Sequence, residues 1–91
     1  MRDIDKIIDV LTAKYPDLAV EQLRVLHPGA DDDGLWFFRH PTSTHEVQLE
    51  STSGNCPFLF ETTASEQRAS VNSVAEAVSI VTIGLGLSAA A

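Results

Sequence analysis

In three consecutive stretches of the chain, large apolar residues recur at every second position. The stretches are LWFFRH at residues 35–40, HEVQLES at residues 45–51 and PFLFETT at residues 57–63. This spacing is typical of strands that bury one face. The loops PTST and SGNC between them are too short for a crossover connection, so we predict antiparallel pairing in chain order. No other feature of the chain restricts the fold as much.

The two loops also predict a register. If PTST is the first loop, Phe38 faces Val47 and Trp36 faces Leu49; if SGNC is the second, Leu49 faces Phe60. The two loops, chosen independently, agree on one face that collects six apolar residues, and we expect this face to pack under helices. These residues are Trp36, Phe38, Val47, Leu49, Phe58 and Phe60.

A helix is predicted at each end of the chain. In the first, Asp3 caps apolar positions at helical spacing from Ile4 to Leu11, and Pro16 ends the run. In the second, Ser70 is the expected N-cap, and the valines and leucines of residues 71–85 recur at steps of three and four. The sequence GLG at residues 84–86 is interpreted as the C-cap of that helix.

A further strand is expected before the first alternating stretch. In AVEQLRVLHPG, one set of alternate positions holds Leu23, Val25 and His27, and the other holds Gln22, Arg24 and Leu26. The strand is expected to end at Pro28 and Gly29, although a helix over residues 20–26 remains open. The fold class is therefore predicted as α+β, a single domain over residues 1–91. It consists of a four-stranded antiparallel meander with both helices on one face, in the order α-β-β-β-β-α.

The other sheet face is the predicted partner-binding surface. It combines three apolar side chains with carboxylates and arginine, a composition that suits either a solvated face or a surface for a protein partner or homodimer. Its predicted residues are Leu35, Phe37, Arg39, Glu46, Gln48, Glu50, Leu59 and Glu61, with Arg24 and Leu26 as further members. A competing surface is the C-terminal helix, which Ile80, Ile83 and Leu87 make apolar on more than one side. The sequence does not rank the two.

The alternative function is that of a small enzyme or metal-binding protein. The meander brings one rim together, and its members are His27, Asp31, Asp32, Asp33, Asn55 and Cys56. DDDG lacks the alternate spacing of a calcium loop, and an acidic rim disfavours a cysteine thiolate. Cys56 is therefore expected to be a partly buried residue beside a turn.

Histidines at the opposite rim complete the candidates for chemistry. His40 and His45 face each other across PTST, a strand length from Cys56, which excludes a Cys-His dyad. Without a third ligand they are expected to be structural, so we predict no catalytic, cofactor or metal residue.

Charge restricts the partners. Six basic against thirteen acidic residues give a formal charge of −7, which disfavours nucleic acid and favours a basic protein. Charges near the start argue against a signal peptide, and the final apolar run of 15 residues is shorter than the roughly 20 that a membrane helix needs. With a single cysteine and hence no internal disulfide, we expect a cytoplasmic protein without membrane association.

GLWFF, EVQLES and GNCPFLFE, followed by a small-residue helix, resemble short bacterial proteins built from a helix, an antiparallel sheet and a helix. Some of those proteins are grouped with the immunity proteins of polymorphic toxin systems. The resemblance covers residues 34–85, and packing and turn residues carry it, so it transfers no catalytic residue. It implies a small cytoplasmic binding protein, and an acidic immunity protein would act by covering a basic active site.

Overall fold

The computed structural model describes residues 2–22, 34–63 and 65–87, including the side chains of all of them except residues 65–67. Within these residues the chain forms a five-stranded sheet in the order β1-β2-β3-β4-β5, with every neighbouring pair antiparallel. One helix precedes the sheet in the chain and one follows it. The elements are α1 Asp3–Lys14, β1 Ala19–Gln22, β2 Leu35–Arg39, β3 Val47–Glu50, β4 Phe58–Thr62, β5 Ser65–Val71 and α2 Val74–Gly84. The α+β class and the antiparallel meander are confirmed.

The predicted register of the central strands is confirmed. Phe38 pairs with Val47, and Leu49 pairs with Trp36 on one side and Phe60 on the other. All six residues assigned to the inner face are buried. Because a slip of one residue would turn every side chain to the other face, the alternation and the loop lengths together select this pairing.

The prediction of four strands is wrong, because β5 adds a fifth between β4 and α2. Val71 of β5 pairs with Phe58 and is buried, so it belongs to the sheet and not to the helix. The N-cap of α2 is Ser73, whose hydroxyl accepts a hydrogen bond from the Glu76 backbone N–H at 3.1 Å, and not Ser70. The stretch SEQRAS has no regular apolar alternation, so only its pairing with β4 defines it as a strand.

The first predicted strand is present, and its described part is β1. β1 pairs antiparallel with β2, with Val20 opposite Phe38. Residues 20–22 are therefore strand and not helix, which decides the open alternative for that segment. The predicted continuation over residues 23–29 lies outside the described residues.

Both helices pack on the inner face of the sheet. Ile4, Ile7 and Leu11 of α1 are fully buried in the same cluster as the inward residues of the sheet and as Ala77 and Val81 of α2. Each large apolar side chain buried in this way stabilises the fold by about 1.5–3 kcal/mol. The core is thus one layer of side chains between the sheet and the two helices.

The predicted C-cap of α2 is confirmed, whereas the predicted N-cap of α1, like that of α2, is wrong. Asp3 is the first residue of α1 and not its cap, since Arg2 occupies the N-cap position. At the end of α2, Gly86 has φ +68°, a conformation that glycine adopts without a Cβ penalty. The N–H groups of Gly86 and Leu87 donate to Ile83 and Thr82 carbonyls at 3.0 and 2.9 Å, which confirms GLG as a C-cap.

The two helices run in the same direction. Tyr15, which follows α1, donates its hydroxyl hydrogen to the Leu87 carbonyl after α2 at 3.1 Å, so the two C-termini lie together. Their N-termini lie near the SGNC turn, because α1 begins against Gly54 and α2 follows Val71, the partner of Phe58. Among the described residues, no helix has the length and apolar character that crossing a membrane requires.

Candidate functional site

The structure gathers the eight predicted partner-binding residues on the outer side of the sheet. Across β2, β3 and β4, Leu35 pairs with Glu50, which pairs with Leu59. In the next outward row, Phe37 pairs with Gln48, which pairs with Glu61. These side chains point away from the core because they alternate with the buried residues of the same strands. We call this surface the open face; neither helix packs on it.

The apolar part of the open face is not the continuous strip that the sequence suggested. Leu35 and Phe37 are neighbours on β2, but Glu50 of β3 lies between Leu35 and Leu59. All three apolar side chains are half-buried. A compact pair of hydrophobic residues therefore lies on β2, with a third residue two strands away.

Cross-strand ion pairs frame these hydrophobic residues. Arg39 lies between two carboxylates, with Nη1 at 3.4 Å from Glu21 Oε2 and Nε hydrogen-bonded to Glu46. The hydrogen bond and charge of Glu46 raise the pKa of Arg39 above its ordinary value. On the other side of the face, Arg68 Nε lies 3.1 Å from Glu61 Oε1.

Two members of the open face were missed by the sequence. Glu21 faces Phe37 from β1, and Arg68 reaches Glu61 from β5. The predicted alternation, extended back from Arg24 and Leu26, would have put Glu21 on the inner face, whereas in β1 Val20 pairs with buried Phe38 and Glu21 with Phe37. Arg68 required the unpredicted fifth strand. The predicted members Arg24 and Leu26 lie outside the described residues.

Cys56 lies where the SGNC turn holds the first turn of α1. Its backbone N–H donates to Asp3 Oδ2 at 2.9 Å, and the Asp3 N–H donates to Asn55 Oδ1 at 3.0 Å. The Ile4 N–H donates to the Gly54 carbonyl at 2.9 Å. These bonds satisfy N–H groups that the first turn of a helix leaves without internal partners. We call this arrangement the N-terminal clasp.

The surroundings of the Cys56 thiol disfavour nucleophilic chemistry. The side chain is half-buried beside the core, as predicted. Burial, followed by the Asp3 carboxylate, raises the pKa of the thiol, while the bond from the Cys56 N–H lowers the pKa of Asp3. The thiol is thus protonated at neutral pH, and a thiolate is the form that attacks. The other predicted rim residues, His27, Asp31, Asp32 and Asp33, lie outside the described residues.

The two other histidines line a hollow of about 560 Å³ at the opposite end of the sheet, together with Asp17, Arg39 and Glu46. His40 Nδ1 accepts a hydrogen bond from the Thr42 N–H at 3.2 Å, and its ring packs edge-on against Tyr15 with centroids 6.3 Å apart. Across the described part of the chain, no three His, Cys, Asp or Glu side chains converge in a way that would hold a metal ion. The contacts of His40 with Thr42 and Tyr15 hold the PTST turn.

A second surface lies on the helices, on the opposite side of the molecule from the open face. Among the described residues, the exposed large hydrophobic side chains are Val10, at 38% exposure, and Ile83, at 64%. Both line a groove of about 710 Å³ between α1 and α2. Ile80 and Leu87, the other apolar residues assigned to this surface, are half-buried against the core. We call this surface the helix groove.

Comparison with known proteins leaves the family open. No protein-family model, no curated protein and no solved structure matches this chain. Inference about function therefore rests on the surfaces just described.

Proposed function

We propose that this protein is a non-catalytic binding module whose open face binds a protein partner. The observation that carries the proposal is the placement of both helices on one side of the sheet, which leaves Leu35 and Phe37 adjacent and half-buried on the other. Apolar residues bordered by charged ones have the composition of a protein interface, with an apolar centre and a polar rim.

The charge of the module favours a basic partner. Four carboxylates of the open face, those of Glu21, Glu46, Glu50 and Glu61, accompany two arginines. Glu50 is exposed and forms no ion pair with any described residue. With a formal charge of −7, the protein would attract a positively charged surface from solution. An immunity protein that covers a basic active site is one protein of this kind.

No observation favours the enzyme or metal alternative over the binding module. Among the described residues of the predicted rim, Cys56 has the reactive side chain. Burial and the neighbouring Asp3 raise the pKa of its thiol. Its backbone and that of Asn55 serve the N-terminal clasp. These contacts account for both residues by structure alone.

Phe37→Asp tests the open face directly. The substitution removes the apolar side chain at the centre of the face and puts in its place a carboxylate beside Glu21, which a partner contacting this position would have to desolvate. We expect the variant to fold as the wild type does, judged by circular dichroism, and to lose partner binding. Ala75→Asp, at an exposed position of α2 that lines the helix groove, adds the same charge to the opposite side; it is the matched control for the open face and would itself weaken a partner bound in the groove.

The measurement compares basic proteins retained by the immobilised wild type, by Phe37→Asp and by Ala75→Asp. A partner of the open face is retained by the wild type and by Ala75→Asp, is lost with Phe37→Asp, and is released by salt. Light scattering over a tenfold concentration range shows in parallel whether the partner is a second copy. Equal retention by Phe37→Asp and the wild type would rule out the open face as the binding surface.

A further inference from the structure

We infer that the helix groove is a second docking site, which accepts an amphipathic helix bearing an acidic residue in its first turn. The inference is independent of the open face, because the groove lies on the helices and the open face on the far side of the sheet. It rests on three properties of the groove: its apolar lining, the charge at one end and the common direction of α1 and α2.

The lining of the groove is mostly apolar and offers contact for one helix. Val10 lies on the α1 wall, and the α2 wall carries Val74, Val78 and Ile83 together with the polar side chains of Ser79 and Thr82. From residue 74 to residue 83 the groove follows α2 for about 14 Å, or two to three helical turns. An open groove covers only one side of its occupant, which suits a helix with a single apolar face at positions i, i+3, i+4 and i+7.

The charge at the groove is opposite to that of the protein. Among the described residues that line it, Lys14 is the charged one and none is a carboxylate. Within the described part of the chain, Arg2, Arg39 and Arg68 each pair with a carboxylate, and Lys6 acts on Asp3, whereas Lys14 has no such partner. An acidic protein thus presents an unpaired ammonium group beside an apolar groove, which complements an apolar segment that bears a carboxylate.

The directions of the helices determine where that carboxylate lies. Lys14 is in the last turn of α1, at the end where the C-termini of α1 and α2 lie together. The carbonyl ends of two parallel helices give this end negative partial charge, so the positive N-terminal end of a docked helix is favoured there. The docked helix therefore runs antiparallel to α1 and α2. Its first turn, where Asp and Glu are favoured in any helix, lies next to Lys14.

A displayed library of 14-residue peptides tests the inference. Each peptide carries leucines at helical spacing along one face, and the three other positions of its first turn are randomised. We expect selection on the wild-type protein to enrich Asp or Glu in that turn, and selection on Lys14→Glu to remove the enrichment or favour Lys. Binding is then measured by fluorescence anisotropy with one selected peptide and its copy carrying Gln in place of the acid.

Three variants separate the groove from other surfaces. Ile83→Asp should weaken peptide binding at least tenfold, Lys14→Gln should weaken the acidic peptide but not its Gln copy, and Phe37→Asp should leave both unchanged. Failure to select any helical peptide, or equal binding to Ile83→Asp, would overturn the inference. It would also be overturned if light scattering shows a wild-type dimer that Ile83→Asp dissociates, since the occupant would then be a second copy.

Discussion

At the level of single residues, the N-terminal clasp explains why Cys56 lies beside an acidic residue without being a reactive cysteine. Asp3 accepts from the Cys56 N–H, and this bond fixes the carboxylate close to the thiol. The carboxylate is stabilised in its charged form, whereas the thiolate is destabilised by burial and by the negative charge. The Asp3 contact thus helps to anchor α1 and adds to the effect of burial on the thiol.

The clasp predicts slow and strongly alkaline-dependent modification of Cys56. We expect the rate with a maleimide or disulfide reagent to be below that of free cysteine at neutral pH and to rise only as the pH passes the ordinary thiol pKa, because the folded-state pKa is raised. Asp3→Asn should move the profile to lower pH by removing the charge. Asp17→Asn, which removes an exposed charge at the opposite end of the sheet, is the control. A rate at pH 7 equal to or above that of free cysteine would contradict the protonated thiol.

At the level of elements, prediction succeeded where the chain alternates and failed where it does not. Trp36, Phe38, Leu49 and Phe60 recur at every second position of their strands, and this spacing together with the two short loops was sufficient for the strands and their register. β5 was missed because its polar stretch gains a defined conformation from pairing with β4, a long-range contact that no local pattern reports. Ser70 was then mistaken for a helix cap, since a serine before a run of valines has the same signature in either place.

Two serine substitutions distinguish the observed start of α2 from the predicted one. Ser73→Ala removes the bond from the Glu76 N–H and should lower the free energy of unfolding by about 1 kcal/mol. Ser70→Ala, at an exposed position of β5, should change it by less than about 0.5 kcal/mol. Urea unfolding followed by circular dichroism measures both. A larger loss for Ser70→Ala than for Ser73→Ala would place the cap at Ser70 after all.

At the level of the whole molecule, one core separates two different surfaces. The open face was assigned from the alternation of three strands, and its eight residues lie together as proposed, although Glu50 and Gln48 divide its hydrophobic residues. The helix groove was only partly foreseen, through Ile83. Val10 lies on the other wall, and the approach of α1 to α2 is a tertiary contact that neither helix encodes alone.

The shared core predicts that helices and sheet unfold as one unit. Trp36 is the single tryptophan and is buried against Phe58, so its fluorescence reports on the sheet. Leu11→Ala opens a cavity in α1 and should lower the free energy of unfolding by about 2–5 kcal/mol. We expect the urea midpoint from tryptophan fluorescence to fall together with that from circular dichroism, because the two layers bury the same side chains.

Ile4→Val provides a milder test at about 0.5–1.5 kcal/mol, and Ala13→Ser, on the exposed side of α1, is the control. A fluorescence midpoint that stays at the wild-type value while the circular dichroism midpoint falls would show that the sheet is stable without its helices, against a single cooperative core.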